Sequence, residues 1–357
     1  MNSHKNIALV IHSLGRGGAE KVVSELSIYW QAQGHTVTLI VFDGREIGYP
    51  HGGILLDLHA ESGNGFWQRS LTLLKRARRL RKVYQERAFD LIIAVMESAS
   101  FPSILASRQT IASNHCNPAL YFSRMEWQLS RYLFPKARHV ICVSKAAEQV
   151  FREQLVQQTR LGCIYNPVDL QRLQAYAQQP AAVGLSDPYI IAVGRLEQQK
   201  RIDRLLTAYA RTTLRHTVKL LILGEGRLRP LLEQQVRDLG LEGQVLMPGN
   251  VANPHPDVRS AEFLVLSSDH EGFPMVLIEA LALGKTAVST DCATGPNEII
   301  QHGQNGLLVP VDDVAALAAA MDRLHADTDL RTRLAAAAPA SVAHLAVGQI
   351  AAAWESL

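Results

Sequence analysis

The chain has 357 residues, 47% hydrophobic and 19% charged, enough to bury two ordinary cores, which excludes a grossly disordered polymer. Its four cysteines, Cys116, Cys142, Cys163 and Cys292, lie apart with no CxxC pair and no clustered histidines, so neither a disulfide framework nor a structural zinc site is indicated and a reducing cytosol is expected. The net charge of +3 is unevenly shared: residues 1–170 hold 20 Lys and Arg against 13 Asp and Glu, the remainder 16 against 20, so the basic first half points to an anionic partner, whether membrane lipid, phosphate or nucleic acid.

The first element is a continuous apolar strand, Asn6–Ile11, followed by the glycine-rich stretch His12-Ser-Leu-Gly-Arg-Gly-Gly18 and a periodic helix from Ala19 to about Gln33. With a second strand at Thr36–Phe42 this makes a βαβ unit whose loop lies at the ligand-binding edge of a parallel sheet. The dinucleotide fingerprint G-x-G-x-x-G is incomplete, because Glu20 stands where the third glycine belongs, which argues against NAD. Gly17 and Gly18 instead allow close backbone approach to a phosphate or a sugar. Residues 66–87 read as a helix dense in Arg and Lys. Strands follow at Asp90–Val95, Thr110–Asn114 and Val140–Ser144, and His115 stands at the carboxyl end of the second of these.

Residues 170–187, rich in Gln, Ala and Pro, read as a linker. A second strand–loop–helix series then begins. Tyr189–Val193 runs into Gly194-Arg195, Val218–Leu223 into Gly224-Glu225-Gly226, Gln244–Met247 into Pro248-Gly249, and Phe263–Ser267 into Ser268-Asp269-His270-Glu271-Gly272. Pro274 suits the first position of the helix that follows, and Gly284 its carboxyl cap. The first-turn amides of Phe273 to Val276, which have no intrahelical partners, with Gly272 and Pro274 beside them, offer anion-binding donors next to the loop carboxylate Glu271. Glu279 sits eight residues on among Leu277, Ile278, Ala280 and Leu281, where a carboxylate is costly unless protein donors or ligand hydroxyls satisfy it. The only D-x-D pattern, Asp327-Thr328-Asp329, lies between helices and away from every strand end, and reads as a helix cap.

In order and spacing, Gly194-Arg195-Leu196, Lys200, Gly224-Glu225-Gly226 and the pair Glu271 and Glu279 resemble the retaining glycosyltransferases of family 4. Gly17-Gly18-Ala19-Glu20, Val143–Ala146, Asn166–Asp169, Gly295–Glu298 and Asn305–Pro310 extend the resemblance over nearly the whole chain. It implies the GT-B fold: two facing Rossmann-like domains with parallel sheets and a cleft between them. An acceptor-binding domain is expected at 1–170, a nucleotide-sugar domain at 171–341, and a final helix at 342–357 packing back toward the first domain.

The resemblance also implies roles. Glu279 would accept hydrogen bonds from two ribose hydroxyls and Glu271 would hold the hydroxyls of the moving sugar. Arg195 and Lys200, with the helix terminus at Phe273, Pro274 and Met275, would meet the diphosphate in place of a metal. His115 would face the sugar and the acceptor, and Gly249–Ala252 would meet the base through its backbone. The activity implied is transfer of a hexose from a nucleotide sugar, UDP-linked in preference to GDP-linked, to a polyprenyl-diphosphate-linked or other cell-surface glycan, with neither metal nor cofactor. A nucleotide-sugar epimerase of the same fold and an inactive scaffold subunit are the competing readings.

Within residues 66–87, Phe66, Leu73, Ala77, Leu80 and Tyr84 fall on one side at about 100° per residue, while Lys75, Arg78, Arg79 and Lys82 gather on another. Those charges are either a solvated face or a contact with anionic lipid, which the adjoining Trp67 and Leu71 suit; nucleic acid is poorly supported, since aromatics do not interleave with the charges. No apolar run approaches the roughly 18 residues of a membrane span, and Met1–Lys5 leads straight into a strand without a signal-peptide core. The expectation is a cytoplasmic protein held peripherally on the inner membrane.

Overall fold

The computed structural model describes residues 4–61 and 66–357, without the side chains of Phe66, Trp67 and Arg69. The chain forms two compact units: Met1–Pro167 together with Val347–Leu357, and Val168–Ala346.

Among the described residues, the first unit holds a seven-stranded sheet of β1 (Asn6–Ile11), β2 (Thr36–Val41), β3 (Ile54–Asp57), β4 (Leu91–Val95), β5 (Thr110–Asn114), β6 (His139–Cys142) and β7 (Leu161–Cys163) in the order β3-β2-β1-β4-β5-β6-β7. The second holds β8 (Tyr189–Val193), β9 (Lys219–Leu223), β10 (Val245–Gly249), β11 (Leu264–Leu266), β12 (Ala287–Thr290) and β13 (Leu307–Val309) in the order β10-β9-β8-β11-β12-β13. Every named pairing is parallel. Parallel strands need helical crossovers on both faces, which is why β1, β4 and β8 are continuous apolar runs and not alternating ones. Strand order reverses between β1 and β4 in one sheet and between β8 and β11 in the other. The carboxyl ends flanking such a reversal form an open crevice.

β1, β5 and β8 fall where their apolar runs predict. β3, β7, β12 and β13 carry too little signal: each is three or four residues long, and the middle residue of β7 is a glycine. The segment expected to be a linker is different. Leu170–Ala177 is a helix capped by Asp169, whose side chain accepts from the Arg172 amide at 3.0 Å, and it packs within the second unit through Tyr176. The chain end is also subdivided: one helix ends at Val342, a single 3₁₀ turn spans Ala343–Leu345, and the last helix is Val347–Glu355. That last helix completes the first unit. Lys5 Nζ donates to the Glu355 carbonyl at 2.7 Å, and the fully buried Trp30 donates its indole N–H to Glu355 Oε1, also at 2.7 Å.

Candidate active site

In the second unit, the loops leaving β8 and β11 flank the reversal point and carry most of the expected donor groups. The β8 loop lies tightly against the β9 loop. Gly224, at φ 150°, has no room for a side chain, since a Cβ there would sit 1.9 Å from the Gly194 carbonyl oxygen; a Cβ on Gly226 would sit 2.4 Å from that of Leu196. Gly224 therefore has a packing reason to be glycine. Glu225 pairs with Arg229 at 2.5 Å and is about half exposed, while the Arg195 side chain stands exposed at the end of β8.

Lys200 and Glu271 meet directly. Lys200 Nζ donates to Glu271 Oε1 at 2.7 Å, and Ser268 Oγ donates to the same oxygen at 2.6 Å. Glu271 is only 5% exposed, so its charge is balanced inside the protein, while Oε2 takes no bond from the described residues. Several contacts hold the two loops in register: Ser267 Oγ to the Lys200 carbonyl at 2.8 Å, the Asp269 amide to the Gln199 carbonyl at 2.9 Å, and Gln199 Nε2 to the His270 carbonyl at 2.7 Å. Arg201, left-handed at φ 48°, links Asp203 and Asp269 through its guanidinium. From the other side, Thr290 and Cys292 donate to the Ser268 carbonyl and Thr294 to that of Glu271. Sequence reasoning located the acid and the lysine but missed this framework, because hydroxyls scattered over separate strand ends have no local pattern.

The helix after the loop is Met275–Ala282. Pro274 is its N-cap, one position earlier than predicted, with extended backbone at ψ 111°. The Leu277 amide reaches the Pro274 carbonyl at 3.2 Å, so the amides of Met275 and Val276 precede the helical ladder. Phe273 and Met275 are buried, and Gly272 is half-buried. Gly284 follows the helix at φ 74°, the left-handed geometry expected of a carboxyl cap.

Glu279 is 7% exposed on this helix, and its Oε2 faces His255 Nε2 at 3.3 Å. His255 Nδ1 in turn faces Asn253 Oδ1 at 2.7 Å, and the ring stacks on Tyr176 with an interplanar angle of 5°. The amide is oriented by its own donors, since Asn253 Nδ2 reaches the Tyr176 carbonyl and Gln179 Oε1, both at 2.8 Å. Both imidazole nitrogens thus face oxygens. Neither His255 nor Asn253 has a sequence signal. The first carboxylate of the D-x-D pattern behaves as read: Asp327 caps the helix Thr328–Val342 by accepting from the Leu330 amide at 2.8 Å.

In the first unit, Gly17 is the N-cap of the helix Gly18–Ala32 and Gly18 is exposed, with open space where a side chain would be. His115 follows β5; its Nε2 bonds Ser113 Oγ at 2.8 Å, and burial pushes its pKa down to about 4, leaving a neutral ring. The basic helix, Phe66–Glu86, divides its charges. Arg76 is buried at 4% exposure, donating to the carbonyls of Ala60 and Ser98 and to His12 Nδ1 at 2.8, 3.2 and 3.0 Å, with its guanidinium 4.3 Å over the Phe42 ring. Arg79 donates to the carbonyls of Leu58 and His59, which removes it from the expected anion-facing set. Lys75, Arg78 and Lys82 remain exposed, the last with Glu86 at 3.7 Å. Ala77, Leu80 and Val83 are buried beneath them, while Leu71 and Leu74 are 66% and 52% exposed. The expectation placed on Trp67 concerns a side chain outside the described residues.

Residues 16–172 match the family described as Glycosyltransferase Family 4, and residues 177–341 the one described as Glycosyl transferases group 1. Two parallel-sheet units with these matches define a GT-B glycosyltransferase. The chain belongs to glycosyltransferase family 4. It is 28% identical, over 92% of each chain, to the N-acetylgalactosamine-N,N'-diacetylbacillosaminyl-diphospho-undecaprenol 4-alpha-N-acetylgalactosaminyltransferase of Campylobacter jejuni. To a lipopolysaccharide 1,6-galactosyltransferase of Salmonella typhimurium it is 32% identical, over 48% of this chain and 47% of that one. Among solved structures, the sucrose-phosphate synthase of Thermosynechococcus elongatus superposes with a TM-score of 0.82 at 20% identity, covering 99% of this chain and 98% of that one. Anabaena HepE in complex with UDP-glucose gives 0.80 at 21%, covering 99% of both. At those identities the structures speak for the fold.

Proposed function

We propose that the chain transfers a hexose from a UDP-linked sugar, in preference to a GDP-linked one, to a polyprenyl-diphosphate-linked or other cell-surface glycan, with retention of anomeric configuration. One observation carries the reading: Glu271 is buried with Oε1 held by Lys200 and Ser268 and with Oε2 left for a sugar hydroxyl, at the reversal point of the second sheet. Glu279 accepts from the ribose hydroxyls, its second contact being His255. Arg195 and Lys200 meet the diphosphate, together with the amides at the start of the helix Met275–Ala282. Those charges serve where other glycosyltransferases use a metal, and the one D-x-D pattern has its first carboxylate committed to a helix cap. The acceptor oxygen attacks the anomeric carbon on the face the phosphate leaves. Its proton passes to the departing phosphate oxygen, so the products are the glycoside and the nucleoside diphosphate and no enzymic nucleophile is required.

The relatives named for diphospho-undecaprenol and lipopolysaccharide support an acceptor at a membrane surface. No helix among the described residues is long and apolar enough to cross a membrane. Lys75, Arg78 and Lys82, beside the exposed Leu71 and Leu74, form the peripheral contact with anionic lipid on the cytoplasmic face.

The test is nucleotide release from a panel of UDP- and GDP-hexoses, with and without N-acetylhexosaminyl-diphospho-undecaprenol, in the presence of EDTA. The expected result is UDP release stimulated by the lipid and unaffected by EDTA. No release from any donor contradicts the reading, and loss restored by magnesium or manganese contradicts its metal-free part.

A further inference from the structure

A half-buried carboxylate stands just beyond the carboxyl end of β4 in the first unit. β4 ends at Val95, and Met96 adopts φ 67° and ψ 162°, a conformation that non-glycine residues rarely occupy and that clusters at functional sites. Glu97 is the next residue and the first of the helix Glu97–Ala106. The Met96 amide donates to the Ser113 carbonyl at 2.8 Å, which brings Glu97 alongside the end of β5, where His115 stands.

The Glu97 side chain is half-buried, and its Oε2 is fully buried with no hydrogen-bond donor among the described residues. Burial pushes its carboxyl above the ordinary range; its own amide opposes that, and Glu126, on the helix Arg124–Leu133, adds to it. Its charge also reaches the buried Cys116 thiol, which burial first and Glu97 second push up to about 12. His115 presents a matching vacancy: Nδ1 is buried without a partner, and since the Ser113 hydroxyl on Nε2 can either donate or accept, Nδ1 can offer a lone pair or an N–H. Two unsatisfied buried polar atoms at adjoining strand ends, beside the reversal point of the first sheet, are not what a folding role requires.

We propose that Glu97 is the acceptor-orienting carboxylate: Oε2 receives the hydrogen of a hydroxyl on the glycan acceptor, with the His115 imidazole as its neighbour. A carboxylate at a helix amino terminus with one oxygen left without a donor recognises a sugar hydroxyl and holds its oxygen in place. This rests on the transferase reading above, and it adds the group that selects a hydroxylated acceptor over water.

The experiment compares wild type, Glu97→Gln and Glu97→Asp for thermal stability, UDP affinity, hydrolysis of the UDP-hexose to water, and transfer to N-acetylhexosaminyl-diphospho-undecaprenol. Glu97→Gln keeps the shape but presents an amide. UDP affinity and hydrolysis should stay within about twofold, while acceptor KM rises about tenfold or more and the ratio of hydrolysis to transfer rises with it; Glu97→Asp should fall between. Transfer within twofold of wild type in Glu97→Gln overturns the proposal. So does a parallel loss of UDP binding or of folding, which would make Glu97 structural. Inactivity of the wild type toward every donor and acceptor would instead remove the transferase reading on which the proposal stands.

Discussion

His115 carries a consequence that solution measurements can reach without any substrate. Its folded pKa, about 4, lies below the ordinary 6.5 because burial disfavours the charged ring, so between those values the unfolded chain binds more protons than the folded one. The contribution is present above pH 6.5 and is lost as pH falls toward 4. At about 1.4 kcal/mol per unit it amounts to at most about 3 kcal/mol. A series of thermal unfolding curves from pH 7.5 to 4.5 should show His115→Asn losing less stability than wild type over that window. Parallel curves would mean that the ring is not held neutral. The glycines teach a related lesson at this scale: Gly224 resembles a donor-binding residue in sequence, yet its backbone geometry and the approach of Gly194 already account for it.

For single elements, the helix Phe66–Glu86 shows how far periodicity carries. The apolar stripe predicted Ala77 and Leu80 as buried, and they are, at 6% and 0%. Helical spacing alone could not separate Arg76 from the exposed cations, because its burial depends on two distant carbonyls, Ala60 and Ser98, and on His12. Burial pushes its pKa down to about 10, still charged at neutral pH, and its donors are matched by acceptors. The proposed lipid-facing set is therefore Lys75, Arg78 and Lys82, the exposed cations of the group. Changing all three to Glu should abolish co-sedimentation with anionic vesicles, which in wild type should weaken with salt, while leaving UDP binding and thermal stability within error. Undiminished sedimentation of the triple variant would show that membrane contact, if any, is made elsewhere.

Across the whole molecule, the two doubly wound sheets were legible because long apolar strands alternate with periodic helices, and the strand-end motifs repeat in step with them. The route of the chain was less so. The helix Leu170–Ala177 follows a polar, Gln-rich stretch that reads as linker, and only packing of Tyr176 on His255 shows why it is ordered. The return of Val347–Glu355 to the first unit depends on Trp30 and Lys5 meeting Glu355, more than 320 positions away. Of the candidate site, Lys200, Glu271 and Glu279 could be read from spacing and resemblance. The partners that hold them, His255, Asn253, Ser268 and Thr294, could not, because their hydrogen bonds come from three separate places in the chain: the turn at 253–255, the loop after β11 and the segment after β12.

The central claim is that the second unit binds the nucleotide through Glu279 and the transferred sugar through Glu271. Calorimetric titration of UDP and of the UDP-hexose into wild type, Glu279→Ala and Glu271→Ala tests it most directly. With hydrogen bonds to a charged group contributing about 1.5–3 kcal/mol, Glu279→Ala should weaken both ligands by roughly tenfold to a hundredfold. Glu271→Ala should leave UDP affinity near wild type and remove whatever difference the hexose makes. Unchanged UDP affinity in Glu279→Ala, or equal mild losses for both ligands in both variants, would contradict the account.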